Sequence, residues 1–347
     1  MSQSEEEKRL LAEATQKARE ELKKKEALER SHQMTEKDKK ALQQLEDSFP
    51  PISFAPVWFA NFSLPHSEKQ AKSTRSIEIS SRELELINGD KKLTLYSRNG
   101  LPSGMYARKF LFWITTQAIK QKNFPADSGR YISVKSLRSM MNDMGISYSG
   151  GSRGTARILR AQINRVLQLS YYEDFIDTPS IDDYSNANIA ERVFFQWEEK
   201  ADSATELFEG SRIVLSHEFF DAIRNDGAVP LDNRILAKLS RSPLATDLYC
   251  WITYRLSYTH SHVTVTYDQL HQQFATGYPA TKEGRRNFKK KMREAFAKVS
   301  KAWEEVTGER PDAFSPPSGC IILHKGGKPS VPKKMVNQIA NRNTPIL

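Results

Sequence analysis

Apolar and polar positions follow a helical period over Lys282–Trp303. Phe288, Met292, Phe296, Val299 and Trp303 recur at spacings of four, four, three and four, which places them on one side of a helix. Arg285, Arg286, Lys289, Lys290 and Arg293, with Lys282 just ahead of them, are crowded toward the N-terminal half of the segment. A helix macrodipole favours anions at that end, so these cations gain nothing from their own helix. A helix docked by one face and offering cations to a polyanion is the pattern of a DNA recognition helix. A solvated, lysine-rich surface helix is the competing reading.

The same kind of patterning recurs earlier. Ala107–Gln121 reads as a strongly apolar helix carrying Phe110, Leu111, Trp113, Ile114 and Ile119. Ser133 is the expected N-cap of a short helix through Met144, which Gly145 ends. The turn SYSGGS leads to a second helix, about Gly154–Gln168. Its core stripe is Leu159, Ile163, Val166 and Leu167, while Arg153, Arg157, Arg160 and Asn164 share the opposite face. That face is read either as DNA-contacting or as packed on a second subunit. Short helix, turn, basic-faced helix is the order of a helix-turn-helix. LSYYEDFI and ERVFFQWEE alternate as a β-hairpin and RIVLS as a third strand, which together predict a winged helix.

The order then repeats. Pro230–Leu239 and Pro243–Tyr258 read as helices, Val263–Val265 as a short strand, and Thr266 as the cap of a helix Tyr267–Phe274. ATGYPAT turns into the basic helix, and Cys320–His324 is strand-like. The expected fold class is α+β, with two tandem winged helices. The expected divisions are a charged extension 1–56, a first winged helix 77–226, a second 229–324 and a basic tail 325–347. FPPISFAP, with its three prolines, marks a linker or the start of the folded part.

Charge sharpens this picture. The chain has 347 residues, enough for two ordinary domains, and its 52 Lys plus Arg exceed its 42 Asp plus Glu by 10. That excess points to a polyanionic partner. It is uneven: residues 5–47 hold 11 basic and 12 acidic side chains, so the extension is nearly neutral. Its leucines keep no steady heptad, which favours a frayed charged helix or disorder over a coiled coil. The first hairpin is acidic (Glu173, Asp174, Asp177, Asp182, Asp183, Glu191, Glu198 and Glu199 against Arg192 and Lys200), so it is expected to face away from a duplex and serve contact between protein surfaces, or simply to sit in solvent. From Ala313 onward there are five Lys or Arg and no acid, giving a tail (Lys325, Lys328, Lys333, Lys334, Arg342) that either reaches phosphates or hangs free.

No apolar run is long enough to span a bilayer, and the opening SEEEK has no signal-peptide core. Cys250 and Cys320 stand in no metal-like spacing, so a reducing cytoplasmic setting is expected, without a disulfide framework. No GxxxxGK[ST] phosphate loop occurs, and neither a cofactor nor covalent catalysis is expected. His260–Ser261–His262 is the nearest approach to the metal-binding histidine pair of a rolling-circle nickase. Ser261 is polar where that chemistry needs an apolar residue, and the pair sits in a turn.

Three blocks, LPSGMYARKFLFWITTQAI (Leu101–Ile119), MGISYSGGSRGTARILRAQI (Met144–Ile163) and VPLDNRILAKLSRSPLATDLYCWITYR (Val229–Arg255), resemble the plasmid-encoded RepA replication initiators. The resemblance covers roughly Leu101 to Pro317. Two departures stand out: Ala107 precedes Arg108 where the family usually has proline, and Gln117 stands where an acidic residue is common. The resemblance implies an initiator that binds repeated duplex sites (iterons) at a plasmid origin and promotes local opening. It further implies recruitment of host replication factors such as initiator and helicase, and dimers that repress their own gene. A transcriptional regulator of the same architecture is the alternative, told apart by a lone inverted repeat at a promoter instead of direct repeats at an origin.

Overall fold

The computed structural model describes residues 52–68, 82–124, 126–151, 153–176, 184–195, 211–225, 227–274, 277–317 and 319–331. The described residues all lie within one compact unit, Pro51–Thr344. The charged extension before Pro51 and the tail cations Lys333, Lys334 and Arg342 lie outside them.

The proline-rich run is where the fold starts. Ile52–Pro56 is strand β1, followed by the one-turn helix α1 (Val57–Asn61), and Trp58, Phe59 and Ala60 are buried. β1 pairs antiparallel with β9 (Ala228–Asp232), Phe54 facing Pro230. The Phe54 amide turns away to donate to Thr116 Oγ1 at 2.9 Å, so opposite it the missing N–H of Pro230 leaves no ladder bond broken. This corrects the expected helix Pro230–Leu239. Only α7 (Asn233–Leu239) is helical, capped by Asp232, whose carboxylate accepts from the Arg234 amide.

Next come β2 (Glu83–Asn88) and β3 (Lys91–Ser97), then the long helix α2 (Gly104–Lys120). Phe110, Leu111 and Ile114 of α2 are fully buried, as the apolar pattern requires. A short turn, α3 (Ala126–Gly129), precedes β4 (Tyr131–Val134) and α4 (Leu137–Asp143). The cap of α4 is Ser136, whose Oγ accepts from the Ser139 amide at 3.0 Å, and not Ser133. Ile132 and Val134 alternate into the core, which holds Ser133 in an extended strand.

Helix α5 (Thr155–Leu167) follows the glycine turn and packs on α2 through Leu159, Ile163 and Val166. β5 (Leu169–Phe175) joins the sheet β2-β3-β5-β6, with β6 at Tyr184–Asn188. The expected hairpin partner, Arg192–Phe194, instead lies in β7 (Ala190–Phe194), which pairs with β8 (Ser211–Leu215) in a second sheet of order β4-β8-β7. The chain switches sheets at Ile189. This residue is fully buried; its amide donates to Leu169 O, and its carbonyl accepts from the Ser216 amide. Alternation reveals that a segment is a strand but not which strand it joins.

After α6 (His217–Asn225) and α7 comes α8 (Pro243–Tyr258), buried along most of its length. Then β10 (Val263–Thr266), α9 (Tyr267–Phe274), α10 (Lys282–Thr307) and β12 (Cys320–Leu323) follow as expected; a further short strand, β11 (Ala313–Phe314), joins them in a sheet of order β10-β12-β11. Every strand pairing among the described residues is antiparallel. Packing continues past the expected end of the second winged helix. Ser330 Oγ meets Tyr249 Oη at 2.7 Å and Val331 is fully buried.

A buried polar knot links elements from both expected domains. Arg108 of α2 and Asp247 of α8 are both fully buried and pair through Nε–Oδ1 and Nη2–Oδ2 contacts of 2.6 Å each. The remaining donors of Arg108 go to the carbonyls of Leu64, Pro65 and Gly104, so all five N–H groups are used. Asp247 Oδ2 also accepts from Ser63 Oγ at 2.6 Å and lies 3.3 Å from His66 Nε2. Burial works against the Asp247 carboxylate, but the charge and hydrogen bonds of Arg108, with His66, outweigh it and hold its pKa below the ordinary value. Ser63, His66 and Asp247 are not a nucleophilic triad: the same ring nitrogen faces both oxygens, and Ser63 is fully buried.

Candidate nucleic-acid interface

Helix α10 is placed by its apolar stripe. Phe288, Met292, Val299 and Trp303 are buried and Phe296 is half-buried; Ala295 and Ala302 complete the docked face. The helix lies against α7, α8 and α9. Phe288 is gripped edge-on by His271 of α9 and by Tyr278 of the turn, with ring centroids 5.1 and 5.6 Å away. Thr281 caps the helix by accepting from the Gly284 amide at 3.1 Å, and Glu283 supplies the acid that the first turn favours. Gly284 is buried, and a side chain there would collide with the Pro279 carbonyl, so this glycine is what lets the turn close on the helix.

Docking the stripe leaves the cations outward, but they are not alike. Lys282, Arg286 and Lys290 are exposed on successive turns, outside the Asp268 pairing, and Lys290 lies within electrostatic reach of Glu294. Arg285 and Lys289 share one carboxylate instead. Asp268 of α9 accepts from Arg285 Nη1 at 3.3 Å and from Lys289 Nζ at 3.0 Å. The Lys289 bond, joined by the charge of Lys289 and by Arg285, outweighs the opposing effect of burial and holds the Asp268 carboxyl below its ordinary value. Arg293 donates to the carbonyl of Pro317, in the loop between β11 and β12, at 2.9 Å. Tyr267 Oη meets Ser315 Oγ of the same loop at 2.5 Å. The loop is therefore fastened beside α10 by residues of α9 and α10.

Helix α5 has a parallel setting. Its turn is locked by Ser149 and Thr155, the amide of each donating to the hydroxyl of the other at 2.9 Å. Gly154 stands where a Cβ would strike the carbonyls of Ser149 and Gly150. Arg153, Arg157 and Asn164 are exposed; Arg160 is partly covered, and burial lowers its pKa. Lys109 Nζ caps the end of α4 by donating to the Met144 and Gly145 carbonyls at 3.0 Å each.

The first hairpin is only partly described. Glu173 is half-buried and Asp174 lies 3.5 Å from Lys92, whereas Asp177, Asp182, Asp183, Glu198, Glu199 and Lys200 lie outside the described residues. Of the tail cations, Lys325 and Lys328 are exposed, and the Lys328 amide is held by Asp312. His262 lies against His324, ring centroids 5.6 Å apart, and no cluster of three metal-ligating side chains occurs among the described residues. None of the described helices is long and apolar enough to cross a membrane.

Sequence reasoning missed Asp268 and the Arg293–Pro317 contact. The acid's position one residue into the helix before the basic one is a signal that could have found the first. The second depends on where a loop folds back, which no local pattern encodes.

Residues 101–269 match the family model described as plasmid encoded RepA protein. Among solved structures, a crystal structure of selenomethionine derivatives of domains 2 and 3 of RctB is 13% identical, covers 71% of this chain and 91% of that chain, and has a TM-score of 0.44. A crystal structure of RctB domains 2–3 is 11% identical, with 76% and 93% covered and a TM-score of 0.42. No curated protein matches the chain.

Proposed function

We infer, from the premise that residues 101–269 belong to the plasmid-encoded RepA family, that this chain is a plasmid replication initiator. It binds repeated duplex sites at an origin and promotes their opening. Two helix-turn-helix units do the binding, α4–α5 and α9–α10, each read as the core of a winged helix. The α9–α10 unit is the main reader, and the loop between β11 and β12 is its wing. Host replication factors are its protein partners; α5 serves either the DNA or a second subunit, and the acidic segment after it faces away from the duplex, toward protein contact or solvent.

One observation carries this reading: the exposed row Lys282, Arg286, Lys290 on a helix docked into the core by its opposite face. Cations spaced one turn apart along a protruding helix match phosphates flanking a major groove. Arginine adds planar, two-point recognition of guanine, so Arg285 and Arg286 are assigned to bases and Lys282, Lys289, Lys290 and Arg293 to the backbone. On α5, Arg153, Arg157, Arg160 and Asn164 are the corresponding contacts. Nuclease footprinting of the DNA beside the protein's own gene tests the assignment. Protection of direct repeats next to an AT-rich segment is expected; a lone protected inverted repeat at a promoter would favour a transcriptional regulator.

A further inference from the structure

The cations of α10 divide into an exposed row and a pair governed by one acid. Asp268 sits on α9, half-exposed, and its two oxygens take different partners, Arg285 Nη1 at 3.3 Å and Lys289 Nζ at 3.0 Å. Arg285 is held on a second side as well, since its Nε donates to the Ala280 carbonyl at 3.2 Å. A guanidinium carries five coplanar N–H donors. With Nε and one Nη1 hydrogen engaged inside the protein, the plane is fixed while donors on both terminal nitrogens stay available.

That geometry has a use at a base edge. Two-point recognition of guanine demands that the guanidinium lie in the plane of the base. A long side chain ordered before contact loses less freedom on binding. An exposed ion pair adds little to folding, so stability gives Asp268 weak reason to stand among cations. An uncompensated carboxylate beside phosphates would repel them, and Lys289 offsets that charge.

We propose that Asp268 is a positioning residue for sequence recognition: it sets the plane of Arg285 for a base edge, with Lys289 balancing its charge. This rests on the reading of α10 as the DNA-facing helix. The alternative is that Asp268 only competes with phosphate for the two cations, which would change affinity for every sequence and preference for none.

The test uses the full chain. A duplex is selected by the wild-type protein from a randomised pool, and its single-base-pair variants and a scrambled duplex serve as probes. Binding is measured for wild type, Asp268→Asn, Asp268→Glu, Arg285→Lys and the double variant Asp268→Asn/Arg285→Lys, with thermal melts to confirm folding. Asp268→Asn should bind the scrambled duplex more tightly yet lose about tenfold of preference at one base pair. Arg285→Lys should lose preference at that same pair, and adding Asp268→Asn to it should cause no further loss. Asp268→Glu, keeping the carboxylate, should recover part of the preference. Tighter binding by Asp268→Asn to all duplexes with base preference intact would overturn the proposal. If Arg285→Lys alone lost preference, α10 would still read DNA and only the role of Asp268 would fall. Failure of the wild type to enrich any sequence would sink the DNA-reading assignment and this inference with it.

Discussion

Arg108 and Asp247 stand 139 positions apart in the chain and meet as a two-point ion pair without solvent exposure. One lies on α2 and the other on α8, so the pair welds together elements that the sequence pattern assigned to separate domains. Charges taken out of water are stable only when every donor and acceptor is satisfied. Here that condition is met by backbone carbonyls from Leu64, Pro65 and Gly104 and by Ser63.

Removing one member should therefore be severe. Asp247→Ala leaves a buried guanidinium without its counter-charge and is expected to destabilise the protein by about 3–5 kcal/mol. Replacing both, as Arg108→Met with Asp247→Leu, should be milder than either single change. Denaturant unfolding of the three variants checks this; a double variant as unstable as the sum of the singles would show that the pair is not acting as a unit.

The same knot predicts a pH dependence. Burial is the largest influence on His66 and lowers its pKa from 6.5 despite the nearby carboxylate. Asp247 is also held below its ordinary value of 3.8. In both cases the unfolded chain binds protons more readily than the folded one, so the contribution is present at higher pH and is lost on acidification. His66 should act first, as pH falls below about 6.5, and Asp247 below about 3.8. Stability measured from pH 7.5 to 5 should fall less steeply in His66→Gln than in wild type; equal slopes would remove His66 from the account.

On the DNA side, Lys290→Ala is expected to weaken binding to specific and scrambled duplexes alike. The slope of log affinity against log salt should drop by roughly one unit, as for the loss of one phosphate contact. Arg286→Ala should in addition relax preference at a base pair, at a cost of about 1–3 kcal/mol. Unchanged affinity in both variants would mean that the exposed row on α10 does not touch DNA.

If α4–α5 and α9–α10 both bind DNA as proposed, the footprint should fall in two parts. If α5 and α10 enter major grooves on one face of the duplex, hydroxyl-radical protection by a monomer should centre on positions about 10–10.5 bp apart. Protection of a single groove segment would leave α10 as the reader and give α5 to subunit contact.

Legibility from sequence varied with how local the cause was. α5 and α10 could be read because a stripe such as Phe288, Met292 and Val299 records its own burial. Strand identity could be read for β5 and β7, but the partner of β7 could not, because pairing is decided by Ile189 crossing between sheets. Pro230 looked like the start of a helix, yet it lies in a strand where its missing N–H is harmless. At the site, the cations were visible as a composition bias. Their division into an exposed row and a pair held by Asp268 depends on how α9 and α10 are set against each other, which charge counting does not encode.

The β1–β9 ribbon bears on how this protein can be taken apart. A fragment trimmed to residues 101–269 would discard the strand that covers β9, along with Ser63, His66 and the two carbonyls from Leu64 and Pro65 that surround Arg108. It would also end inside α9, ahead of the helix that docks on α8. Such a piece would carry a bare strand edge and a half-satisfied buried charge, both prone to self-association in solution. The stretch that keeps these neighbours together with the packed Ser330 and Val331 runs from Ile52 to Val331, so the bounds of the family match are a poor guide to where a fragment of this chain can be cut.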